Sequence, residues 1–146
     1  YMYPLPTHTS PKKVNKMGLA PWVNIGDALN GIPEPDSNCD LLNHVYSAYK
    51  ITNRNFTGHR ETDPSKPSPT ILARGNGKGG VCAIQHPKNH RRMSVRESAT
   101  IQTFPLDYEF VGSMTSCYRQ VGNAVPVLFA ESLAKSLKNI IVGDNK

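Results

Sequence analysis

Apolar residues are spread unevenly along this chain. Over the first seventy positions they come in short bursts, because Pro4, Pro6, Pro11, Pro33, Pro35, Pro64, Pro67 and Pro69 leave no room for long regular elements. Two pieces in this half still carry a pattern. Trp22 to Leu29 reads as a short helix stopped by Gly31, and His44 to Thr52 is an aromatic, β-prone run that predicts a strand.

From Thr70 the pattern sharpens. Thr70 to Arg74 and Val81 to Ile84 are short apolar runs on either side of Gly75-Asn-Gly-Lys-Gly-Gly80, which predicts a hairpin with a long glycine-rich tip. Ser94 stands three residues ahead of Glu97, the spacing at which a serine hydroxyl and a glutamate carboxylate cap a helix reciprocally. That helix is expected over Val95 to Gln102 and is closed off ahead of Pro105. Thr115 to Val121 suits a further helix with Gly122 as its left-handed terminator, and Pro126 suits the first turn of the next. Phe129, Leu133 and Leu137, with Ala130, Ala134 and Ile141, then fall at helical spacing on one apolar stripe.

Charge narrows the partners. The 146 residues carry 17 Lys and Arg against 11 Asp and Glu, a formal charge of +6, which favours a polyanion, with DNA or RNA ahead of a membrane surface. No apolar run approaches the roughly 20 residues that span a bilayer, and Tyr1-Met-Tyr-Pro4 does not open a secretory leader, so a soluble, intracellular protein is expected. Cys39, Cys82 and Cys117 are odd in number and form no Cys-x-x-Cys pair, so ordinary thiols are expected rather than a disulfide framework or a zinc site. Between His86 and His90, Pro87 spoils the helical face that a metal-binding pair needs.

Three features carry candidate chemistry. The glycine-rich loop matches G-x-G-x-x-G, but a dinucleotide fingerprint leads into a helix and here another strand-like run follows. What remains is either a flexible turn or a loop that offers Arg74, Asn76 and Lys78 and lets its backbone approach a ligand closely. Arg91 and Arg92 precede the helix capped by Ser94, where free N–H groups favour anions, so they read either as a phosphate clamp or as a solvated charged turn. The amide of Asn123 can cap the helix that follows it, which is one account of why an asparagine stands there.

Arg92-Met-Ser-Val-Arg-Glu-Ser-Ala-Thr-Ile-Gln-Thr-Phe-Pro105 and Tyr118-Arg-Gln-Val-Gly-Asn-Ala-Val-Pro126 resemble the last two sequence blocks of the DNA cytosine-5 methyltransferases, in the family's order and spacing. Upstream, Tyr3-Pro-Leu-Pro-Thr-His8 resembles the stretch ahead of that family's target-recognition region, and Pro67-Ser-Pro-Thr-Ile71 the entry to its DNA-reading loop. Such enzymes flip a cytosine from the duplex, attack its ring with a cysteine thiolate and transfer methyl from S-adenosyl-L-methionine. The family places its nucleophile in a Pro-Cys pair and its acid in Glu-Asn-Val, and neither occurs here: Cys39 follows Asn, Cys82 follows Val and Cys117 follows Ser.

The resemblance therefore implies the C-terminal portion or small subunit of a restriction-modification type methyltransferase, inactive alone. A DNA-binding module or degenerate remnant without a catalytic partner is the alternative. The expected fold is an irregular, loop-rich α+β domain with short strands over residues 1–110, including the loop at 75–80 and the capped helix at 94–104. Helices over 111–146 are expected to return to a missing Rossmann-like catalytic domain. By resemblance, Asn123 and Ala124 contact S-adenosyl-L-methionine. Thr70, Arg74, Asn76, Lys78, Arg91 and Arg92 are the expected contacts to double-stranded DNA, and no metal or catalytic residue is assigned. The expected partners are DNA and a catalytic N-terminal domain or subunit, in the cytoplasm and associated with the nucleoid.

Overall fold

The computed structural model describes residues 3–36, 39–45, 61–73, 83–89 and 91–143, which group into two units. One unit joins residues 1–22 to 125–146. Within it β1 (His8–Thr9) pairs in parallel with β2 (Ala20–Pro21), His8 opposite Ala20 and Thr9 opposite Pro21. The crossover is a 3-10 turn over Pro11–Lys13 and a single helical turn, α1 (Val14–Met17). Gly18 ends it at φ 63°, donating its N–H to Val14 O at 2.9 Å. This is the left-handed cap that glycine adopts without steric cost. The unit also holds α5 (Val127–Gly143), whose first turn is closed by the Ala130 N–H on Pro126 O, as a proline at a helix start allows.

The second unit, residues 23–124, contains the core. Here α2 (Ile25–Ala28) is shorter than the run from Trp22 to Leu29 predicted. Asn24 starts it, its side chain accepting the Asp27 N–H at 2.8 Å, and this cap leaves Trp22 and Val23 outside. Of the strand expected over His44 to Thr52, only His44 and Val45 are among the described residues. Arg74, the expected hairpin tip at 75–80, and Val81 and Cys82 lie outside them too. The antiparallel pairing that is described joins Gln85 to Arg92, with His86 N–H on Arg91 O and Met93 N–H on Ile84 O. This pairing lies downstream of the glycine-rich stretch and puts Arg91 and Arg92 on its second arm.

Ser94 does cap α3 (Val95–Ile101). Its hydroxyl accepts the Glu97 N–H at 3.0 Å and its own N–H reaches Glu97 Oε2 at 2.7 Å. The far end closes as a Schellman motif without glycine. Thr103 sits at φ 60°, its N–H donates to Thr100 O, and the Phe104 N–H reaches back to Ala99 O. α4 (Met114–Asn123), capped by Ser113, runs through Gly122 instead of ending before it. Gly122 is therefore not a left-handed terminator; it is the point where α4 touches another stretch of backbone.

The core lies on both sides of α3. Val95 and Ala99 pack with Phe110, Cys117, Tyr118 and Val121, joined by Ile71, Phe104 and Met114. On the other side Met93 and Ile84 pack with Ile25 and Leu29, and Ile71 and Ile101 touch this cluster too. The described residues thus make a small α+β fragment with few, short strands and several helices.

Candidate functional site

α3 is buried from Val95 to Ala99 although three of those five residues are polar, so its polar groups must find partners inside the protein. Arg91 supplies them for Glu97. Its Nη1 and Nη2 donate to Glu97 Oε2 and Oε1 at 2.8 and 2.7 Å, a bidentate pair, while Nε donates to Glu34 Oε2 at 3.0 Å. Burial pushes the Glu97 carboxyl up, but the Arg91 hydrogen bonds and the Ser94 N–H outweigh it and hold its pKa below the usual range. Burial likewise opposes the charge on Arg91, and the two carboxylates overcome it and raise its pKa. His86, with Nε2 3.7 Å from Glu97 Oε1, is held below the ordinary imidazole value, chiefly by burial.

Arg92 is as buried as Arg91, each only 5% exposed. Its guanidinium carbon lies 3.6 Å from the centre of the Tyr118 ring, a cation–π stack between the hairpin and α4. The Tyr118 hydroxyl donates to Met93 O at 2.6 Å, and burial pushes its pKa up to about 12 against the charge of Arg92. The two arginines are therefore buried instead of facing solvent ahead of the helix. The hairpin folds them inward, where they join hairpin, α3 and α4.

Asn123 and Ala124 lie at the other end of α4, the first exposed and the second half-buried. Gln102, the C-cap of α3, donates from Nε2 to Val121 O at 3.2 Å and to Ala124 O at 3.3 Å. Two carbonyls at the close of α4 thereby gain partners from α3. Asn123 is the last residue of α4 and stands four residues before the start of α5. Thr70 is exposed, on the segment whose neighbours Leu72 and Ala73 meet Gly122. Arg74, Asn76 and Lys78 fall outside the described residues.

Sequence reasoning missed three buried anchors. Arg96, wholly buried, donates to Leu42 O and Pro105 O at 2.8 and 2.9 Å and also to Tyr108 O. His44 bridges Ser94 Oγ and Pro33 O, each at 2.7 Å, and Gln102 holds the end of α4. Among the described residues no three His, Cys, Asp or Glu side chains gather as metal ligands, and no helix is long and apolar enough to cross a membrane.

The sequence model of the family described as C-5 cytosine-specific DNA methylase matches residues 12–139, which contain α3, α4 and the turn between α4 and α5. The chain belongs to that family. Among curated relatives, the type II methyltransferase M.NgoFVII of Neisseria gonorrhoeae is 34% identical over 94% of this chain and 41% of its own length. The type II methyltransferase M.MthTI of Methanothermobacter thermautotrophicus is 33% identical, over 91% of the chain and 47% of its own length. M.AquIB of Picosynechococcus sp., also a type II methyltransferase, is 41% identical over 90 residues that make up 61% of it, so that relative is itself about as short as this chain. The chain spans less than two thirds of the length of each of these relatives.

Proposed function

We propose that this chain is the C-terminal portion or small subunit of a DNA (cytosine-5) methyltransferase, supplying target recognition, DNA contacts and one edge of the methyl-donor pocket. The observation that carries this reading is α5. Leu128, Phe129, Leu137, Ile140 and Ile141 are each at least 37% exposed and Leu133 is half-buried, so most of the helix's apolar side chains remain in solvent. A helix with one apolar face left in solvent calls for a cover over that face. The catalytic part, with the Pro-Cys and Glu-Asn-Val blocks that this sequence lacks, is the cover the reading assigns to it.

The turn after α4 fits one edge of a cofactor site. Gln102 holds two carbonyls at the end of the helix, and Asn123 beside them is exposed, where its amide can hydrogen-bond a polar ligand group. S-adenosyl-L-methionine, when bound, supplies the electrophilic methyl group. Asn123 and Ala124 hold and orient one side of it, while Thr70 and the residues Arg74, Asn76 and Lys78 address the DNA. Arg91 and Arg92 serve the same function indirectly, by fixing the hairpin.

Co-expression of the chain with a catalytic polypeptide carrying the two missing blocks tests the reading. The complex is expected to co-purify and to transfer labelled methyl groups to cytosine in duplex DNA, and the chain alone to transfer none. Methylation by the chain alone, or failure of every such polypeptide to pair with it, rejects the reading.

A further inference from the structure

The positive charge of this chain is unevenly placed. Asp27 is the first acidic residue, and ahead of it stand Lys12, Lys13 and Lys16. Elsewhere the fold absorbs many of its cations: Arg91, Arg92 and Arg96 are buried, Lys66 pairs with Asp63, and Lys135 pairs with Glu131. Lys12, Lys13 and Lys16 are all exposed, and among the described residues no carboxylate pairs with any of them. Lys88, Arg119 and Lys138 are exposed and unpaired too, but each is the sole unpaired cation of its segment.

The crossover between β1 and β2 presents the three lysines together. Residues 11–17 form one helical run, the 3-10 turn and then α1, in which Lys16 follows Lys12 by four residues and Lys13 by three. Like charges at those spacings are neighbours and repel, and an anion laid across them relieves the repulsion. The neck of the crossover is stitched shut. The Ala20 N–H donates to Thr7 O at 3.1 Å, the Trp22 N–H to Thr9 O at 2.9 Å, and the Thr9 hydroxyl to Met17 Sδ at 3.4 Å. With the Gly18 cap, these bonds fix the backbone that carries the lysines, so a ligand has only their side chains to order.

We infer that Lys12, Lys13 and Lys16 form a phosphate-binding cluster that grips the backbone of duplex DNA. The inference rests on the function proposed above and adds to it a contact on the first unit that is independent of sequence. An ammonium on a flexible stem meets a phosphate as a point charge, and phosphate contacts position a duplex without reading its bases. An anionic membrane is the weaker partner, since three lysines fall short of the about four to eight that hold a segment to one.

The test combines Lys12→Gln, Lys13→Gln and Lys16→Gln in the complex with the catalytic polypeptide; matching thermal melts show that the fold is kept. Duplex affinity is followed by fluorescence anisotropy from about 50 to 200 mM salt, on the sequence the complex methylates and on an unrelated one. In the triple variant the slope of log affinity against log salt is expected to be shallower by about two to three, one step for each phosphate lost. Both duplexes weaken alike, and the ratio between them is kept. Lys88→Gln with Arg119→Gln and Lys138→Gln removes the same net charge elsewhere and is expected to leave the slope within about one of wild type. An unchanged slope in the first variant, or an equal change in both, overturns the inference. A changed ratio between the two duplexes assigns the lysines to base readout and overturns it as well. So does loss of binding to phosphatidylserine vesicles with the duplex slope unchanged, which assigns the cluster to a membrane surface. A wild-type complex that binds no duplex at the lowest salt overturns the proposed function itself, which separates the two failures.

Discussion

Arg91 shows how one residue's surroundings decide its role. A guanidinium with carboxylates on two of its edges and 5% of its surface exposed is committed to folding. Replacing it with Ala strands the Glu97 charge in the interior, where losing one partner of a buried pair costs ~3–5 kcal/mol. Urea denaturation of Arg91→Ala is expected to show a loss of that size, with the salt dependence of DNA binding by any folded fraction unchanged; a lowered salt slope at full stability would restore the phosphate clamp. The same cluster sets the acid response. The folded pKa of Glu97 is depressed below 4.5, so its stabilisation is present above that value and is lost as pH falls through the folded pKa. His86 is depressed below 6.5, so the unfolded chain takes up a proton first and stability already declines as pH drops beneath about 6.5. Unfolding midpoints from pH 8 to 2 should therefore fall in two stages, and His86→Gln should remove the upper one.

At the scale of elements, α3 owes its ends to short-range chemistry and its position to Arg96. The capping box and the Thr103 turn are local, whereas Arg96 reaches residues on both flanking loops, from Leu42 to Pro105. Ser94→Ala removes a cap and also a partner of buried His44, so it should cost more than the ~1 kcal/mol of an ordinary N-cap. Gly122→Ala is expected to cost about 1–3 kcal/mol or to displace the Leu72–Ala73 backbone, since α4 has no room there for a methyl group. Thermal melts of both variants beside Gly112→Ala check the mechanism. At Gly112, φ is 119° and the nearest neighbour is the Ser116 side chain, so its cost arises from backbone strain instead of overpacking.

For the whole molecule the decisive feature is unburied apolar surface on α5 beside a formal charge of +6. Without its cover the chain is expected to self-associate, eluting above its 16.1 kDa monomer mass in light-scattering chromatography. Phe129→Glu with Ile141→Glu should return it to a monomer and abolish pairing with the catalytic polypeptide; a double mutant that still pairs would show that another surface makes the interface. Arg74→Ala in the complex should erode discrimination among DNA sequences by ~1–3 kcal/mol if it reads a guanine edge, while leaving cofactor affinity intact.

What the sequence determined by itself was whatever depends on neighbours within a turn or two. Ser94 and Glu97 are three residues apart, and that spacing alone specifies the start of α3. The stripe from Phe129 to Ile141 likewise specifies a helix, and the two terminal blocks specify the family. Tertiary structure decided the rest, because it depends on groups far apart in the chain. Arg91 and Arg92 read as solvent-facing charges until Glu34, Glu97 and Tyr118 are brought round them. Gly122 reads as a helix terminator until the backbone of Leu72 and Ala73, some fifty residues earlier, is laid against it. A buried charge and a glycine at a close contact are both set by what arrives from elsewhere, and no local pattern encodes which distant residue that will be.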